Sequence, residues 1–199
     1  MLRRFHSTTR TTIAGIVLAS CLTAAPLFGQ AASAPAAAPT KVMIAPAKVL
    51  DLMLSHYEDE FVSLAEAMPA DKYDFAPTNQ QFPKGQFQGV RTFAEQIKHV
   101  TEVNYGLFAG MSSTPPPKLD MASLKTKEQM VTALKGSFTY MHQAIATITP
   151  ENAFESLGGK WSATRAGTVT FVVGHGFDHY GQLVEYLRMN GIVPPASKK

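Results

Sequence analysis

A chain of 199 residues with one cysteine has room for a single domain with a real core, and its formal charge of +3 comes from its start: Arg3, Arg4 and Arg10 precede every acidic residue. Setting those three aside leaves 15 basic against 15 acidic residues, a near-neutral remainder that argues against nucleic acid or an acidic membrane as partner. Because the one cysteine is Cys21, the chain beyond it has no disulfide, thiolate metal site or cysteine nucleophile, and any metal there must be held by histidine and oxygen.

The three arginines, an apolar run from Ile13 to Phe28 and a following Ala-rich segment read as an export signal over residues 1–31, cleaved after Ala31. The run is shorter than the roughly 20 residues of a spanning helix and Pro26 interrupts it, so no stable membrane span is expected. Leu18-Ala19-Ser20-Cys21 resembles a lipobox, which offers lipid anchoring through Cys21 as the alternative. The apolar run continues past it to Phe28, which favours simple export to the periplasm or outside of a bacterium. Residues 32–46, rich in Ala and Pro, read as a linker. Residues 47–195 read as the folded domain, and 196–199 as a tail.

Leu50, Met53/Leu54, Tyr57, Phe61, Leu64/Ala65 and Met68 recur at helical spacing, predicting a first helix from Pro46 to a stop at Pro69. His56 lies beside the stripe as a surface or boundary residue, and Glu58-Asp59-Glu60 marks a solvated face. Asp71 to Gly89 reads as an irregular polar connection.

Thr92-Phe93-Ala94-Glu95 is a capping box that opens a second helix with Phe93, Ile97, Val100, Asn104, Leu107 and Met111 inward. His99 falls about 120° from the centre of that stripe, where it serves equally as a pocket wall or a partly exposed histidine. A second box, Thr126-Lys127-Glu128-Gln129, opens a third helix with Met130, Leu134, Phe138, Met141, Ile145 and Ile148 buried, ending before Pro150. His142, beside that stripe, reads as packing or surface rather than as a ligand. Glu151 to Thr164, with the lone Trp161, leads into the last helix.

There Thr168, Phe171/Val172, His175, His179, Gln182/Leu183, Tyr186 and Met189 share one face, and Arg188, Asn190-Gly191 and Pro194 mark the end. Histidines four residues apart on a helix stand about 5–6 Å apart at Cβ, close enough to grip one cation or, equally, to pack as two core histidines. The protease form of this spacing carries Glu after the first histidine; here that residue is Gly176, which argues against the zincin reading. Gly174, Gly176 and Gly181 thin the helix, for approach of a substrate or for packing of a neighbouring helix.

Four amphipathic helices without strand alternation predict an all-α four-helix bundle. Paired Glu-x-x-His units for ferritin-like di-metal chemistry and a Cys-x-x-Cys-His haem motif are both missing.

Three phrases carry a resemblance: Ala67 to Pro77, Thr92 to Val100, and His175 to Leu183 with Tyr186 to Pro195. In this order they resemble the DinB/YfiT-like superfamily of metal-dependent enzymes over roughly Lys48 to Pro195. The resemblance implies a four-helix bundle with a divalent metal on three histidines, here His99, His175 and His179. Members include thiol-S-transferases and a thiol-dependent isomerase. It therefore implies an open metal site with hydrolase-like or thiol-transferase-like chemistry on a small-molecule substrate, or else an exported bundle that binds metal or a small ligand without catalysis. Zinc suits three imidazoles, with nickel, iron and manganese admitted. Glu95 and Asp178 are candidates for orienting the imidazoles, and Asn104, Tyr180 and Gln182 for lining the pocket. No catalytic side chain beyond the metal site is assigned. Homodimerisation through helix faces is a further expectation of the resemblance.

Overall fold

A computed structural model describes residues 41–158 and 164–198. The predicted export signal with Cys21, the predicted linker up to residue 40 and Trp161 lie outside the described residues. The described residues form four α-helices: α1 Pro46–Ala67, α2 Phe93–Phe108, α3 Lys127–Ile145 and α4 Arg165–Met189. Among them the only β pairing is an isolated antiparallel bridge between Ser156 and Thr164. No helix among them is long and apolar enough to cross a membrane.

The helix ends follow from local chemistry. Both predicted capping boxes close: Thr92 Oγ1 accepts the Glu95 N–H while Glu95 accepts the Thr92 N–H, and Thr126 and Gln129 do the same. The helix α1 stops before Pro69, and Lys127 Nζ donates to the Glu66 and Met68 carbonyls at 2.7 and 2.9 Å, a cation at the negative end of the helix. At the end of α4, Gly191 takes φ +72°, and Ile192 N–H and Gly191 N–H return to the Leu187 and Arg188 carbonyls, the paired bonds of a Schellman motif.

The helix α4 begins at Arg165, where the stretch to Thr164 leads into it, because Thr164 Oγ1 accepts the Gly167 N–H at 3.0 Å. Two helices end sooner than their apolar stripes: α2 stops at Phe108 and α3 at Ile145, leaving Met111 and Ile148 buried in the turns that follow. The connection after α1 is partly ordered. Ala70–Lys72 makes a 3-10 turn, and the buried Tyr73 donates its hydroxyl to the Ala65 carbonyl at 2.7 Å.

Each helix packs mainly on two others, α1 on α3 and α4, and α2 on α3 and α4. The cyclic order is therefore α1, α3, α2, α4, and the connections α1–α2 and α3–α4 cross the bundle's diagonals. Tyr57, Phe61, Phe93, Phe108 and Phe138 are fully buried at its centre, each contributing about 1.5–3 kcal/mol of apolar burial. Close approach of α1 and α4 depends on Gly176: a Cβ there would stand 2.0 Å from Cζ of Tyr57. Added Cβ atoms at Gly174 and Gly181 meet nothing, so these two glycines are not needed for packing.

Candidate metal centre

The seam between α2 and α4 gathers three histidines. One helical turn separates His175 from His179 on α4, and His99 faces them from α2, so that one ring nitrogen of each lies within 4.8 Å of the others. The ring centroids are 4.6 to 5.3 Å apart. His99, read from periodicity as a flanking residue, is half-buried on this seam, and His179 is 6% exposed.

Hydrogen bonding orients the rings. The Gln96 amide oxygen accepts from His179 Nδ1–H at 2.7 Å, which leaves the Nε2 lone pair facing His175 Nε2 at 3.2 Å. Gln96 also hydrogen-bonds the Tyr186 hydroxyl, which itself donates to the Arg91 carbonyl at 3.0 Å. Phe171 stacks on His175, interplanar angle 16°.

Electrostatics keeps the imidazoles neutral. Burial first, then the neighbouring His175 and His99, pushes His179 down to about 4, against the pull of Asp178. His99 is lowered by burial, Arg91 and His175, and His175 by burial and Arg91 with Asp178 opposing. Neutral imidazoles keep the lone pairs that a cation requires.

The donor set fits a cation. Two nitrogens bound tetrahedrally at about 2.0–2.1 Å stand about 3.3 Å apart, and His175 Nε2 and His179 Nε2 are separated by 3.2 Å. Three imidazoles suit zinc, nickel or iron better than the oxygen-loving magnesium or calcium.

Two open clefts adjoin at His99. One, about 420 Å³, is lined by Val103, Gly106, Leu107 and Phe171 with His99, Glu102 and His175. The other, about 480 Å³, is lined by Gly89, Val90, Arg91, Glu95 and Lys98 with His99 and Glu102.

The remaining sequence candidates lie elsewhere. Glu95 lines the second cleft, but its carboxylate is engaged at 2.7 Å by the Thr92 N–H. Asp178 is exposed and accepts from Gln182 Nε2 at 3.3 Å; it acts on the trio through its charge. Asn104 is fully buried and donates to Ser137 Oγ on α3 at 3.0 Å. Tyr180 turns its hydroxyl to Glu60 on α1. Sequence reading did not single out Gln96, Arg91 or Glu102, and it placed Phe171 on the histidine face without a part beside the rings. Gln96 carried a signal, a polar residue one turn before His99 beside the inward stripe.

In comparison with known proteins, residues 53–183, which include all three histidines, match the model of a family described as the DinB superfamily. No curated protein matches the chain.

Proposed function

We propose, for a chain that belongs to the DinB superfamily, that His99, His175 and His179 hold one divalent cation, zinc first, and that the centre acts on a small molecule entering through the adjoining clefts. The observation that carries this reading is the His175–His179 nitrogen pair at 3.2 Å, held by the Gln96 bond to His179. A divalent cation with three protein ligands supplies Lewis acidity, bringing the pKa of a bound water or thiol towards neutrality. The protein's own part is orientation and exclusion. Gln96 fixes the tautomer of His179, Phe171 fixes the plane of His175, and burial holds both rings neutral. The reaction classes that use such a centre are hydrolysis and transfer to or from a thiol.

Metal analysis of the purified protein beside His175→Ala and His179→Ala variants tests the reading. The expected result is about one equivalent in the parent and a large loss in each variant; equal and negligible metal in all three overturns it. A screen of the loaded protein against esters, amides and thiol acceptors then separates the reaction classes.

A further inference from the structure

We propose that the two clefts along α2 form one trough for a small amphipathic anion, with its apolar end against Val103, Leu107 and Phe171 and its oxyanion head at Arg91 and Lys98. The inference rests on the proposed function in that it takes the trough as the site of the reactant. His99 and Glu102 line both clefts, so the two cavities adjoin at these residues. The ends differ in chemistry. Towards the C-terminus of α2 the lining beyond that junction is aliphatic and aromatic, and around its N-terminus it carries two cations.

Those cations are available. Among the described residues neither the Arg91 nor the Lys98 side chain makes an ion pair or a hydrogen bond. Glu95, a carboxylate in the same cleft, accepts a hydrogen bond from the Thr92 N–H. Arg91 is also positioned: the Tyr186 hydroxyl, on a residue 6% exposed, anchors its carbonyl, and its charge reaches all three imidazoles. A guanidinium fork binds a carboxylate or phosphate through two parallel bonds. A volume of about 420 Å³ at the apolar end accommodates an eight-carbon chain. Glu102, at the junction, and Glu95, already engaged by the Thr92 N–H, are the carboxylates that oppose an anion; Glu102 lines both clefts, which gives the proposal a signature of two opposite signs.

Calorimetric titration of the full chain, zinc-loaded and zinc-free, with octanoate, octyl phosphate and 1-octanol tests it. The two anions should bind about ten-fold or more tightly than the alcohol, and the better of the two identifies the head group. Arg91→Ala should remove the preference and leave the alcohol unchanged, whereas Glu102→Gln should tighten both anions. Gly106→Phe should weaken all three ligands, because an added Cβ at Gly106 meets nothing and a larger side chain can fill the cleft with the core undisturbed. Equal binding of octanol and the anions, anion binding indifferent to Arg91→Ala, or no binding at all overturns the proposal. Zinc content of the same samples keeps the two readings apart. Zinc retained without anion preference sinks the trough alone; anion preference without zinc sinks the metal centre alone.

Discussion

Two seams on opposite sides of the bundle bring histidine to helix–helix contacts and make opposite use of it. On the α2–α4 seam three imidazoles face one another, with an amide oxygen as the outer partner of His179. On the α1–α3 seam His142 lies between two carboxylates, Nδ1 at 2.5 Å from Asp51 and Nε2 at 2.8 Å from Glu58. Burial alone would lower His142, but the two carboxylates outweigh it and raise its pKa. One residue type thus serves as a neutral donor set on one side and as a charged clasp on the other. What differs is the partner, acceptor oxygens with full charge against an amide and other imidazoles.

The contrast can be broken most severely at the contact that places α4. Gly176→Ala puts a methyl group into the Tyr57 ring, which should cost about 2–3 kcal/mol in chemical denaturation. Pairing it with Tyr57→Leu should restore most of the loss; a single variant as stable as the parent would show that α1 and α4 are not held at this distance. The next effect is specific to the donor seam. Gln96→Leu removes the acceptor of His179 Nδ1–H and should weaken metal affinity about 10–100-fold, while His142→Ala leaves it unchanged. Equal losses in both would erase the distinction between the seams.

The pH dependence sharpens the comparison because the signs differ. His142 has a folded pKa above its unfolded value near 6.5, so its contribution is complete below about pH 6 and is lost as pH rises through the folded value. The trio is depressed below 6.5, with His179 at about 4; its contribution in zinc-free protein is complete at neutral pH and falls away in acid. Denaturation midpoints across this range should therefore flatten on the alkaline side in His142→Ala and on the acid side in His179→Ala. The smallest effect is the clasp itself, about 1 kcal/mol at pH near 6 for His142→Ala, vanishing at alkaline pH.

Periodicity and punctuation made the helices legible before any coordinates. The two capping boxes, Pro69 and Asn190-Gly191 each mark an end that the structure keeps, whereas α3 stops at Ile145, a turn before Pro150. The His175–His179 pair was legible for the same reason, since spacing within one helix fixes a shared face. Spacing is silent about which helix lies opposite, so the α1, α3, α2, α4 order and the His142 clasp were not. For His99, periodicity left a tie that the resemblance resolved. Glu95 illustrates a competing demand: the motif that announces the start of α2 also consumes the carboxylate considered for orienting an imidazole. The amide at Gln96, one residue on, reaches His179 instead.

Two of the three imidazoles belong to α4, the last of the four α-helices described. Of these three, a growing polypeptide that stops before residue 175 carries only His99, a single weak donor with no partner from the trio beside it. On the proposed function, metal loading is then a late event in the life of the molecule, following the docking of α4 against α2, and products cut short before residue 175 compete poorly for scarce ions.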